Sequence, residues 1–387
     1  MRALIDARPA LDPGRTGVGH YAQQLIRHLP HVDPQDRYVA WYLHARGLFR
    51  HKRLFPDAGA PNLEEAASRF PARIFQPVSW RLHAPRVEWL AGDFDVLLAT
   101  NFLPPPTGHM ERTVLVAHDL AWAVYPETAP QIDERWRRRF ARAVRRCGAV
   151  IVPSVSAKGD LVERYRIPEE RVHAIAHGVD ASAFAAVTEA QVVRVRERFK
   201  IAGAYVLFVG GIEPRKNLVG LVRAFAGSGV DATLVIAGGR VRWFPAEEAR
   251  VWAEVRKLAE PARSRVVMTG YVSDEDKHAL LAGAEALAYP SFYEGFGFPV
   301  IEAMAAGTPV LTSNVSSLPE IAGEDAVLVD PKDGHAIAEG LRRLLTDGDL
   351  RERLIGPGRA RAAGYTWEAT ARRTAEVLRS VAAAARG

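Results

Sequence analysis

The sequence predicts an α/β protein of two open, parallel-sheet domains that face each other across a cleft. Three observations carry this expectation. Strand-like apolar runs alternate with helical patterns through nearly all 387 residues, which implies parallel strands joined by crossover helices. The pattern restarts near residue 204. The chain, 48% apolar and 25% charged, is also too long for one average core, so two domains are expected.

The first domain's strands are ALID (3–6), YVAWYL (38–43), DVLLAT (95–100), TVLVAH (113–118), AVIVPS (149–154) and VHAIAH (172–177). A helix is expected over about 20–29, whereas 47–79, rich in Pro, Arg and Phe, shows no interpretable pattern. The stretch 181–204 is helical and charged (VVRVRERFK) and carries the boundary, which gives domains over 1–185 and 186–364. The second set of strands is AYVLFVGG (204–211), ATLVIAG (232–238), RVVMTGYV (265–272), ALAYPS (286–291), PVLTSN (309–314) and AVLVD (326–330). Asn217 is expected to cap the helix after the first of these. Ser273 with Asp276 reads as a cap after the third, and a helix is expected from Pro299 to near Gly307.

No uncharged apolar run reaches the length of a membrane span, and the chain starts at once with the strand-like RALID, so neither a spanning helix nor a signal peptide is expected. The single cysteine, Cys147, cannot form an internal disulfide and fits a reducing, cytoplasmic compartment. The net charge of +6 is spread over both halves. It does not by itself argue for nucleic acid, and it suits an anionic substrate or an anionic membrane surface. In ERWRRRFARAVRRCG (134–148), Arg135, Arg138, Arg139, Arg142, Arg145 and Arg146 recur at spacings of three and four, with Trp136, Phe140 and Val144 on another face. This is a solvated helix face or a peripheral contact with anionic lipid. No nucleic-acid module is present.

Three strand-to-helix corners carry anion-binding chemistry. In DPGRTGVGHYAQQLIRHL, Gly14, Gly17 and Gly19 let the backbone approach a ligand just before a helix start. The spacing is not the dinucleotide fingerprint, and a flexible surface loop is an equal alternative here. In VLFVGGIEPRKNLVGLVRAF, Arg215 and Lys216 stand before a helix N-terminus, where cations are unfavourable unless an anion sits among them. A phosphate or pyrophosphate clamp explains them better than a solvated pair does. In SFYEGFGFPVIEAMAAGTPV, Glu294 and Glu302 lie in an apolar stretch, and Glu302 has no local cation in the sequence. Sugar hydroxyls suit this pair better than a metal does, because no third ligand is nearby. DFD (93–95) reads as a turn and DED (274–276) as a helix cap rather than as metal motifs, and His177 of HGVD as a structural loop residue.

Together these residues resemble the retaining GT-B glycosyltransferases of family 4, the glycosyl transferases group 1 set, over essentially the whole chain. The matching features are Glu294 with Glu302, EPRKN (213–217), TGVG (16–19), HD (118–119) and SNVSSLPEIAG (313–323). HDL (118–120), YPE (125–127) and FYEGFGFP (292–299) resemble its mannosyltransferase-like branch. The resemblance implies two Rossmann-like domains, the first for acceptor and the second for a nucleoside-diphosphate sugar, with helix 365–387 crossing back to the first. It implies transfer of a hexose, mannose from GDP-mannose as the first donor, to a glycan or lipid-linked acceptor in surface polysaccharide synthesis, without a metal or other cofactor. Glu302 would accept from ribose, Glu294 would sit near the donor sugar, and Arg215 and Lys216 would neutralise the diphosphate. Gly17, Val18 and Gly19 would close over it; Gly211, Gly270, Tyr271, Gly295, Phe296, Gly297 and Phe298 would complete the donor site, and His118 would lie beside the transferred sugar. The alternatives are a GT-B epimerase, a phosphorylase, and a non-catalytic nucleotide-sugar-binding protein at a membrane.

Overall fold

The computed structural model describes residues 1–11, 17–43, 59–68, 75, 78–79, 81–129, 132–241 and 243–386. They form two compact units. The first comprises 1–120, 132–178 and 366–387, and the second 121–131 and 179–365.

The first unit holds strands β1 (Arg2–Asp6), β2 (Arg37–Leu43), β3 (Leu63–Ser68), β4 (Val96–Ala99), β5 (Thr113–Val116), β6 (Ala149–Val152) and β7 (Val172–Ala174). They make one sheet in the order β3-β2-β1-β4-β5-β6-β7, parallel at every pairing. β4, β5 and β6 are buried throughout, as a parallel sheet covered on both faces requires. The strand order reverses between β1 and β4, and such a switch point opens a crevice at the strands' carboxyl ends.

Two differences from the sequence expectation stand out. β3 was not expected, because LEEAAS is an edge strand whose apolar content is low. It is held by backbone pairing to β2 and by the buried Trp41 Nε1–H donating to Ser68 Oγ at 2.8 Å. The first helix runs Gly17–Val32 rather than from about residue 20, so Gly17, Val18 and Gly19 form its first turn. Gly14 and Thr16 lie outside the described residues.

The helix Trp367–Ala384 packs within this first unit, where Thr370 Oγ1 donates to Ala176 O at 2.8 Å. On the helix Glu134–Arg146, Asp133 caps the start by accepting from Trp136 N, and Phe140, Ala143 and Val144 are buried. Trp136 stacks on Phe140 at 5.7 Å. Arg135, Arg138, Arg142, Arg145 and Arg146 are exposed on its other side. Among the described residues no helix is long and apolar enough to cross a membrane.

The second unit holds β8 (Tyr205–Val209), β9 (Thr233–Ala237), β10 (Val266–Gly270), β11 (Ala286–Tyr289), β12 (Val310–Ser313) and β13 (Val327–Val329), again all parallel, in the order β10-β9-β8-β11-β12-β13. Its switch point lies between β8 and β11. The expected boundary stretch becomes the helices Ala181–Ala185 and Glu189–Phe199, the latter opened by a capping box of Thr188 and Gln191. Ser273 caps the helix Asp274–Ala282 by accepting from Asp276 N. The helix Phe298–Ala306 starts with Pro299 in its first turn and ends at Gly307.

Candidate active site

Both corners at the switch point of the second sheet carry charged side chains, and the fold brings them together. β8 ends at Val209, and Gly210 follows with a φ of 145° that suits glycine; a Cβ there would lie 2.6 Å from Lys216 Nζ. Pro214–Lys216 then forms a single 3-10 turn. Asn217 sits at the helix start with φ 56°, but its side chain does not cap the helix as the sequence suggests. It donates instead to Pro331 O at 2.7 Å and ties this corner to the loop after β13. Phe292 N donates to Arg215 O at 2.8 Å, joining the corner after β8 to the one after β11.

Glu294 is 8% exposed and both its oxygens are engaged. Oε2 lies 2.5 Å from Arg215 Nη1. Oε1 accepts from Tyr289 OH at 2.6 Å and from Ser291 Oγ at 3.2 Å. Burial, with the Glu294 charge beside it, raises the Tyr289 pKa well above the ordinary phenol value, so the ring remains a donor. Arg215 also donates through Nη1 to Tyr293 O at 3.1 Å and through Nε to Glu213 Oε2 at 2.9 Å. Lys216 is 7% exposed, and its ammonium sits 5.9 Å from the Tyr289 ring centroid. A partly buried guanidinium, its side chain 14% exposed, a buried ammonium and a tethered carboxylate thus occupy one crevice.

The next segment fixes this geometry. Ser316 Oγ accepts from Glu294 N at 3.1 Å, and the Ser317 hydroxyl reaches the carbonyls of Glu294 and Phe296 at 2.8 and 2.9 Å. Gly297 has φ 106°, and a Cβ on it would meet Leu318 Cδ2 at 2.8 Å.

Glu302 has no local cation, as the sequence reading has it, but the fold supplies a distant one. Lys277 Nζ, from the helix Asp274–Ala282, lies 2.7 Å from its Oε1 and 3.7 Å from Asp274 Oδ1. Burial alone would lower the Lys277 pKa, but Glu302 and Asp274 outweigh it and raise the value. No local pattern reveals this partner, which is 25 residues away. At the end of β10, Gly270 has φ 71° and Tyr271 is 64% exposed. Gly211 lies against the loop after β9, since a Cβ there would come 2.6 Å from Val241 Cγ2.

In the first unit His118 follows β5. Its Nε2 lies 2.9 Å from Thr100 O, and Thr100 Oγ1 donates in turn to Asp6 O at 2.6 Å. A carbonyl only accepts, so Nε2 carries the proton and Nδ1 keeps the lone pair. Tyr21, Phe102 and His177 surround the ring at centroid distances of 5.0, 5.8 and 5.8 Å. Burial there lowers its pKa to about 4, against the opposing hydrogen bond to Thr100. His177 is 2% exposed and stacks on Trp367, and burial together with His118 and His20 lowers its pKa well below the ordinary imidazole value. His177 is the structural loop residue that the sequence reading expects, and it forms a wall of the His118 pocket.

Because both rings resist protonation when folded, the unfolded chain binds more protons between about pH 6.5 and 4, and stability falls as pH drops through that window. His118→Gln, which keeps a donor toward Thr100 O, is expected to show a smaller loss of Tm between pH 7 and 4.5 than the wild-type protein. An unchanged acid slope in thermal melts would remove His118 from the acid response.

The crevice in the second unit thus gathers a guanidinium, an ammonium and two carboxylates. The glycosyltransferase family 4 model matches residues 15–183, and the glycosyl transferases group 1 model matches 193–361. An MMP α-(1→4)-mannosyltransferase of Mycolicibacterium hassiacum is 31% identical over 341 residues, 82% of this chain and 78% of that protein. The chain belongs to the family 4 glycosyltransferases. O-antigen chain mannosyltransferase B of Escherichia coli is 29% identical over 386 residues, 95% of this chain and 97% of that one. The solved sucrose-phosphate synthase of Thermosynechococcus elongatus superposes with TM-score 0.78 at 24% identity, covering 99% of both chains. The glycosyltransferase thus has the GT-B fold, and a glycosyl donor and an acceptor are its substrates.

Proposed function

We propose that this hexosyltransferase moves mannose from a nucleoside-diphosphate sugar, GDP-mannose first among donors, to a glycan or lipid-linked acceptor of a surface polysaccharide, with retention of anomeric configuration. The observation that carries the reading is the Arg215–Lys216–Glu294 cluster at the switch point of the second sheet, with Lys216 and Glu294 buried. Breaking the anomeric bond leaves an oxocarbenium-like sugar and a diphosphate whose charge grows in the transition state. Fixed cations there stabilise that charge by several kcal/mol without a metal. Glu302, held by Lys277, accepts from ribose hydroxyls.

Retention by double displacement needs a carboxylate free to attack the sugar. Glu294 is tied down by Tyr289, Ser291 and Arg215, which favours front-face attack assisted by the leaving phosphate. His118, neutral with Nδ1 as acceptor, contacts the transferred sugar. The relatives named as mannosyltransferases support the choice of sugar. The exposed arginines of the helix Glu134–Arg146 hold the enzyme against an anionic cytoplasmic membrane face, where a lipid-linked acceptor resides.

Calorimetry with GDP, UDP and ADP in EDTA tests the donor reading. One nucleotide is expected to bind selectively despite the chelator, and Glu302→Ala is expected to weaken it at least tenfold. No binding by the wild-type protein, or binding indifferent to Glu302, overturns the reading.

A further inference from the structure

Glu213 plays no part in the chemistry above, yet among the described residues it is the carboxylate that bridges both cations of the clamp. Its Oε2 lies 2.9 Å from Arg215 Nε and its Oε1 3.9 Å from Lys216 Nζ. Burial works against its charge, but the neighbouring guanidinium and ammonium hold its carboxyl below the usual range. With Glu294, two carboxylates therefore balance two cations, and the formal charge of the quartet is zero. An incoming diphosphate meets a cluster that is already neutral.

The two carboxylates are not equivalent. Glu294 is anchored from behind by Tyr289 and Ser291. Glu213 is more open, with a side chain 20% exposed against 9% for Glu294. It also stands in extended conformation (φ −132°, ψ 145°) just before the Pro214–Lys216 turn, so its side chain can swing without unwinding that turn.

We propose that Glu213 is a positioning residue that stands in for the diphosphate while the site is empty. It aims Arg215 and Lys216 at the place the anion takes, then competes with the bound nucleoside diphosphate for the same cations and so speeds product release. The proposal rests on the nucleoside-diphosphate reading of this site.

The test is Glu213→Gln, which keeps the shape and an amide oxygen for Arg215 Nε but removes the charge. Using whichever of GDP, UDP or ADP the wild-type enzyme binds best, the variant is expected to bind roughly tenfold more tightly, because one like charge beside the anion is gone. Its kcat is expected to fall at least threefold, as release slows, while kcat/KM for the donor does not fall. Glu213→Ala removes charge and aim together and is expected to bind less tightly than Glu213→Gln. Melting curves confirm that both variants are folded. Unchanged or weaker binding by Glu213→Gln overturns the competition, and Glu213→Ala binding as tightly as Glu213→Gln overturns the aiming. A wild-type enzyme that binds none of the three nucleotides overturns the donor reading itself, and this proposal with it.

Discussion

Arg215→Met is expected to reduce kcat/KM at least a thousandfold and to destabilise the protein by about 3 kcal/mol. The first effect follows from losing a fixed cation aimed at developing charge. The second follows from what the guanidinium leaves behind. Its Nη1 and Nε serve Glu294 and Glu213 at 2.5 and 2.9 Å. Removing one partner of a buried pair strands the other charge, which costs more than the pair itself was worth. Glu294 would keep its hydrogen bonds from Tyr289 and Ser291 but lose its cation, and Glu213 would keep Lys216 at 3.9 Å.

The pH dependence separates this cause from lost packing. In the wild-type protein Glu213 has a depressed pKa, so its stabilising contribution is present at neutral pH and lost as pH falls through that folded value. In Arg215→Met the stranded carboxylate prefers its proton, so stability is regained as pH falls. The difference in unfolding free energy between the two proteins should therefore narrow between pH 7 and 4.5 in denaturant titrations. A constant difference would mean that the guanidinium acts by packing alone, and turnover within tenfold of wild type would end the clamp assignment.

What the sequence discloses and what it hides divide along a physical line. The strands are legible because a buried parallel sheet writes itself as apolar runs, and the corners because glycine, proline and cation placement follow local backbone rules. Arg215, Lys216 and Glu294 are visible for that reason. Glu302 looks unpaired because Lys277 approaches it from another helix, and ion pairing across a fold has no local signature. Glu213 hides inside a quoted motif, since only the fold shows its carboxylate reaching both cations. β3 is missed because an edge strand can be polar where pairing with β2, rather than burial, holds it. The His118 pocket needs Tyr21, His177 and Trp367, residues from three distant stretches.

Gly238→Ala is expected to lower Tm by roughly 6–12 °C, about 3 kcal/mol for a unit of this size, and to weaken nucleotide binding as well. A Cβ on Gly238 would lie 1.8 Å from Gly210 O and 2.7 Å from Gly210 C. These are backbone atoms, held where Gly210 N donates to Ala237 O and Gly238 N to Gly270 O, so no side chain can turn aside to relieve the clash. The ends of β8 and β9 must separate. Lys216 Nζ rests against Gly210, so the displacement reaches the clamp directly. The neighbouring Gly239→Ala is the matched control: its Cβ would make ordinary contact with Tyr271 Cβ at 3.5 Å, and it is expected to cost less than about 1 kcal/mol. If the two variants melt alike, close approach of β8 and β9 is not what holds Lys216 in place. If Gly238→Ala alone loses both stability and nucleotide, packing between two strand ends sets the position of the Lys216 charge.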